Sequence, residues 1–163
     1  FALKEAVKVF DNSTDKNLLY TIQANQIIDF GATYMFQIAG TNQSIGSIHR
    51  DGMRSLVQAS YTMSDKNENP LYKIVQTNPL VAMFDSLLSI IPFVELITGF
   101  ILNPTYAIST KEGAAPIMTM KKKPSFLESE FEIAQNNTDV SQEQELLCLL
   151  SLLMIVQLER NRG

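Results

Sequence analysis

A mainly β chain completed by one apolar C-terminal helix is predicted by three observations. Most of the first 80 residues alternate apolar and polar side chains with period two. A second alternating pair of segments surrounds Pro124-Ser125. A leucine-rich run at residues 146–158 follows a helix-start signal. Together they predict a mainly β (α+β) fold: a closed or nearly closed antiparallel β-barrel around a buried apolar C-terminal helix.

The strands follow in order. Phe1, Leu3, Val7 and Val9 alternate with Lys4, Ala6 and Lys8, and the cluster Asp11-Asn12-Ser13-Thr14-Asp15 then turns the chain. Residues 18–23 and 34–38 read as the next strands, the latter stopped by Gly40-Thr41-Asn42. Asp51-Gly52 suits a two-residue hairpin turn, because both central positions need positive φ. Folding there pairs Arg50 with Met53, Ile48 with Ser55 and Gly46 with Val57. Gly46, Ile48, Val57, Ala59, Tyr61 and Met63 then share a dry face. His49, Arg54, Gln58, Ser60 and Thr62 share a wet one. Residues 65–70 are a loop, and residues 71–76 resume a strand.

A second hairpin is expected around Pro124-Ser125, with Lys121 opposite Glu128 and Met118 opposite Phe131. Between the hairpins, Asp85, Ser89, Pro92, Glu95 and Gly99 form a narrow polar stripe through apolar residues 80–102. That pattern reads as a helix packed on the sheet, with a membrane-surface or partner-binding segment as the alternative. Its charges argue against a span. Residues 106–109 return to strand.

The C-terminal helix carries the strongest inference. Ser141 and Gln144 have the spacing of a capping box. Residues 146–158 hold 11 apolar residues in 13 and leave almost no polar face. A helix apolar all round is buried all round. A helix of that length covers about 20 Å, short of a bilayer core of roughly 30 Å. Protein should therefore surround it, and strands on every side make a barrel. Arg160 and Arg162 suit the negative end of its dipole.

With 163 residues, 45% hydrophobic and 18% charged, residues 1–163 read as a single domain able to bury a core. A net charge of −4 argues against general nucleic-acid binding. The single cysteine, Cys148, excludes an intrachain disulfide and fits a reducing, cytoplasmic setting.

The stretches Leu19-Tyr20-Thr21-Ile22-Gln23-Ala24-Asn25, Ile45-Gly46-Ser47-Ile48-His49-Arg50, Tyr61-Thr62-Met63-Ser64-Asp65 and Leu71-Tyr72-Lys73-Ile74 carry a resemblance over nearly the whole chain. In this order, before a closing leucine-rich helix, they resemble the tubby C-terminal-like superfamily. The likeness is to the LURP-one-related proteins and, more distantly, to the phospholipid scramblases. It implies a barrel around the helix and a binding rather than catalytic role, with anionic phospholipid or phosphoinositide as an expected partner and peripheral membrane attachment. It carries over no site residue by residue.

Catalytic chemistry is not indicated. There is no nucleophile elbow, phosphate-binding glycine loop or cysteine/histidine metal spacing, so no cofactor or metal is expected. His49 is the only histidine and is expected to face solvent. Cys148 is expected to be an inert small hydrophobe. Lys121-Lys122-Lys123 remains as a candidate anion contact, with Arg50, Arg54, Lys121 and Lys123 forming a basic rim. The competing account is an ordinary cross-strand charge pair with Glu128. The expected function is thus a non-enzymatic binding or scaffold module. The alternative is a small-ligand carrier or enzyme with a barrel-mouth pocket.

Overall fold

The computed structural model describes residues 6–11, 17–26, 31–52, 58–77, 104–111, 113–123, 130–137 and 139–160. They form nine strands and one helix: β1 (Ala6–Phe10), β2 (Leu18–Gln26), β3 (Thr33–Ile38), β4 (Ser44–Arg50), β5 (Ser60–Asp65), β6 (Pro70–Gln76), β7 (Thr105–Ser109), β8 (Met118–Lys123), β9 (Glu130–Gln135) and α1 (Gln142–Arg160). The strands lie side by side in chain order as one sheet. Every neighbouring pair is antiparallel. The expected mainly β class is therefore the observed one. Residues 80–102, with their predicted helix, and the turn at Pro124-Ser125 lie outside the described residues.

Alternation sets one face of the sheet against α1. Ile22, Phe36, Ile48, Tyr61, Met63, Ile74, Tyr106, Ile108 and Met120 are wholly buried, as are Leu152, Met154 and Ile155 of α1. Burying each such aliphatic or aromatic side chain contributes ~1.5–3 kcal/mol. The helix starts as its sequence predicts. The Ser141 N–H donates to Gln144 Oε1 and the Gln144 N–H to Ser141 Oγ, both at 3.2 Å. These two bonds satisfy backbone donors that the first turn leaves free. Ser151, on the core side of α1, is buried with its hydroxyl unpartnered.

Two registers differ from expectation. Ile48 pairs with Met63 and Arg50 with Tyr61, not with Ser55 and Met53. Asp51 is not the start of a two-residue turn. Its N–H donates to the Ser60 carbonyl, and its carboxylate accepts from Ser60 and Thr62, so it is held to β5. In the second hairpin Lys121 pairs with Glu132 and Lys123 with Glu130, and Met120 rather than Met118 lies nearest Phe131 and Ile133. The described ladder runs from Met118 opposite Gln135 to Lys123 opposite Glu130. Both shifts change the sum of paired residue numbers by an even amount. Each described side chain of these strands therefore keeps its expected face.

The closed barrel is not found. The strand order ends on β1 and β9, and no ladder joins those two strands among the described residues. Nor is α1 buried all round: Leu149 and Leu153 are 37% and 44% exposed. Advancing about 100° per residue, the buried positions Leu147, Cys148, Leu150, Ser151, Leu152, Met154 and Ile155 cover an arc of roughly 200°. Three neighbours on this arc belong to β4, β6 and β7. Leu147 abuts Gly46 of β4. Cys148, about a quarter-turn on, lies by Tyr72 of β6, whose phenol is raised above its ordinary pKa by burial and then by this thiol. Glu159, a little further round, accepts from Tyr106 of β7 at 2.7 Å. Leu149 and Leu153 point away from β4 and β5, the strands against which α1 packs most closely.

Candidate functional site

Three of the four predicted rim residues fall among the described ones, and Arg54 does not. Arg50 ends β4, while Lys121 and Lys123 lie at the end of β8. Four antiparallel steps separate these strands, so they run in the same direction and their C-terminal ends share one end of the sheet. The C-terminus of α1 reaches that end too. Tyr106, which donates to Glu159, is the register partner of Met120. Exposed Arg160 follows Glu159. The basic residues thus share an end without forming one cluster, since β4 and β8 are about 19 Å apart along the sheet at ~4.8 Å per strand.

Acidic neighbours offset part of this charge. Lys123 Nζ lies 2.9 Å from Glu130 Oε1 and 3.9 Å from Glu132 Oε2. The hydrogen bond from Lys123 to Glu130, with the charges of both glutamates, raises the lysine above its usual pKa. Lys121 is exposed and stands opposite Glu132 in register. Glu128, the partner expected for Lys121, lies outside the described residues, and the cross-strand ion pair observed here joins Lys123 and Glu130.

The densest polar constellation is one that sequence reasoning missed. On the outer face, Thr33, His49, Thr62 and Lys73 are successive register partners across β3, β4, β5 and β6. Thr33 Oγ1 and His49 Nδ1 share a 2.9 Å hydrogen bond. Lys73 Nζ donates to Asp51 Oδ2 and to Thr62 Oγ1, both at 2.8 Å. Ser60 Oγ donates to Asp51 Oδ2 and Thr62 Oγ1 to Asp51 Oδ1, both at 2.7 Å. Burial works to raise the Asp51 carboxyl, but the bonds from Lys73, Ser60 and Thr62 outweigh it and hold the group below the usual aspartate value. Each hydrogen-bonding partner is committed to another within the cluster, which suits a clamp between β4 and β6 more than a reactive centre. Only the register reveals it, because Asp51 and Lys73 are 22 residues apart.

This clamp makes a testable pH signature. Removing the ammonium in Lys73→Met should cost on the order of 1–3 kcal/mol at pH 7, since it strips a charged donor from a half-buried carboxylate. A carboxylate with a depressed folded pKa stabilises above its unfolded value, ~3.9, and loses that contribution as pH falls through the lower folded value. The gap in thermal midpoint between the wild type and Lys73→Met should therefore narrow below about pH 4. A gap independent of pH would mean that Lys73 acts through its aliphatic stem alone.

At the opposite end, the N-terminus of α1 borders a cleft of about 230 Å³. Its floor is Ile45, Leu71, Leu146 and Leu147, and Asp65 and Glu143 stand among its walls. Asp65 is already occupied. Oδ1 accepts the Asn67 and Asn69 N–H groups and Oδ2 the Asn69 amide, which holds its pKa below the usual value. Cys148 is buried in the core, and burial, with a smaller contribution from Glu145, pushes its thiol up to about 12. That pKa makes it a poor nucleophile. Among the described residues no three His, Cys, Asp or Glu side chains come together as metal ligands would. Comparison with protein-family models, with curated proteins and with solved structures finds no match to this chain.

Proposed function

We propose that this chain is a non-enzymatic binding or scaffold module of the tubby-like, LURP-one-related kind, whose basic end meets anionic phospholipid headgroups. A nine-stranded antiparallel meander in chain order, packed against an apolar C-terminal helix, supports the family reading. The observation that carries the lipid reading is the placement of Arg50, Lys121, Lys123 and Arg160 toward the same end of the sheet, spread along it and not clustered, with Arg50 level in register with Met118. No helix among the described residues is long and apolar enough to cross a membrane, so attachment would be peripheral, at a cytoplasmic surface. The partial neutralisation of Lys123 by Glu130 and Glu132 predicts weak, salt-sensitive contact.

Co-sedimentation with phosphatidylserine- or phosphoinositide-containing vesicles tests this. The chain should pellet with anionic vesicles and not with neutral ones, less so as salt rises, and less in a Lys121→Ala/Lys123→Ala variant. No vesicle binding at low salt would remove the lipid reading, and binding unchanged in the double variant would remove these two lysines. The cleft at the other end favours a second reading, a small-ligand carrier or enzyme with a mouth pocket. Ligand-induced NMR shifts confined to Ile45, Leu71 and Leu147, with no vesicle binding, would support it.

A further inference from the structure

The cleft at the start of α1 is enclosed by separate pieces of chain: the β3–β4 turn, the β5–β6 turn and the first turns of the helix. Its floor, made by Ile45, Leu71, Leu146 and Leu147, is aliphatic throughout. A volume of about 230 Å³ falls below the ~300–1,000 Å³ of sites for drug-sized ligands, which limits an occupant to one small molecule. A concave, largely apolar site with a few polar groups at its walls is the usual form of a small-molecule site.

Two walls of the cleft carry charges of opposite sign. Lys66 stands on the β5–β6 turn and Glu143 in the first turn of α1. Both are exposed, and neither side chain makes a hydrogen bond or ion pair among the described residues. Asp65 differs, because its oxygens already accept three hydrogen bonds from Asn67 and Asn69 and close the turn. Its charge still acts on whatever enters. Sign then selects the class of ligand. A simple anion would meet Lys66 but be opposed by Asp65 and Glu143. A simple cation would meet Glu143 but be opposed by Lys66. A small zwitterion can set each of its charges against the opposite one.

We propose that the cleft binds a free aliphatic α-amino acid. Its carboxylate pairs with Lys66, its ammonium with Glu143, and its branched side chain lies on Ile45, Leu71, Leu146 and Leu147. The end residue of a peptide carries only one of the two backbone charges, so the free amino acid is the form that fits. The inference rests on the reading of the cleft as a small-ligand site, and its test does not depend on vesicle binding.

The test is an NMR titration of the full chain with L-leucine, read at the Ile45, Leu71 and Leu147 amides, which should shift and saturate. Isoamylamine is leucine without the carboxylate, and isocaproate is leucine without the ammonium. Each should bind about fivefold more weakly than leucine, as fits the loss of one solvent-exposed charge pair. Glycine should also bind more weakly, because it has no side chain to cover the aliphatic floor. Lys66→Met should weaken leucine binding without weakening that of isoamylamine. Glu143→Gln should weaken leucine binding without weakening that of isocaproate. Both residues are exposed, so both variants should keep the thermal midpoint. Failure of leucine and both analogues to shift these amides would overturn the proposal together with the small-ligand reading. Equal binding of leucine and either analogue, equal binding of glycine, or full leucine affinity in either variant would overturn the amino-acid assignment and leave the small-ligand reading standing.

Discussion

Leu150→Asp is expected to leave the chain largely unfolded or insoluble. Leu150 sits mid-helix at 1% exposure, among the buried core. Its burial contributes ~1.5–3 kcal/mol, which aspartate forfeits. The carboxylate also enters an apolar region with no cation among the buried residues around it, at a cost of several kcal/mol unless it protonates or the helix withdraws. Total stability for a domain of this kind is ~5–15 kcal/mol, so the combined loss is comparable with the whole. Glu130→Gln is the contrast. Glu130 is exposed and pairs with exposed Lys123, and its replacement should shift stability by no more than about 0.5 kcal/mol. Thermal unfolding followed by circular dichroism separates the two. A near-normal midpoint for Leu150→Asp would show that α1 is dispensable to the core.

The sequence made faces legible and partners illegible. Inside and outside follow from period-two alternation, which survives an even register slip. Ile48, Tyr61 and Met63 are buried as expected even though Ile48 pairs with Met63 and not Ser55. The start of α1 was legible because a capping box is local, and Ser141 and Gln144 exchange both of its bonds. The Asp51 clamp was not. Asp-Gly is a strong turn signal, but in this fold the aspartate's three side-chain donors come from β5 and β6. Local turn preference lost to a non-local charge-assisted network. The helix shows a subtler failure. Apolarity all round implied burial all round, yet the sheet covers only part of the circumference and leaves Leu149 and Leu153 open. Sequence pattern reports what a surface prefers, and only the topology says what is available to cover it.

The same distinction bears on the basic rim. Arg50 and the lysines of β8 are some 70 residues apart in sequence, and composition alone could not bring them to one end. An up-and-down meander does so automatically, because strands an even number of steps apart run in the same direction. What the meander does not supply is a concentrated field. Lys123 spends its charge on Glu130 and Glu132, and Lys121 faces Glu132. Lipid contact at this end would therefore rest on several separated cations and not on one pocket, which is why its salt dependence is the informative measurement.

Gly46→Ala is expected to destabilise the domain by ~1–3 kcal/mol, the usual cost of forcing an extra methyl into a packed interior. A Cβ at residue 46 would lie 2.6 Å from the Ser64 carbonyl oxygen and 2.7 Å from Leu147 Cδ2. The first obstacle is backbone of the neighbouring strand β5, whose register with β4 fixes its position. The second is the helix side chain that seats α1 on β4. Relief of one does not relieve the other, so the helix must lift or the β4–β5 ladder must distort. For a chain of this length each kcal/mol lowers the thermal midpoint by about 2–4 °C, which puts the expected fall at roughly 2–12 °C. Leu147→Ala separates the two contacts. It removes the Leu147 methyl groups at 2.7 and 3.3 Å but leaves the Ser64 oxygen in place. In a double-mutant cycle Gly46→Ala should therefore cost less in the Leu147→Ala background, by roughly 0.5 kcal/mol or more, while remaining destabilising in both. Simple additivity would mean that the Ser64 contact alone sets the cost. A Gly46→Ala midpoint equal to that of the wild type would mean that α1 does not approach β4 as closely as the fold requires.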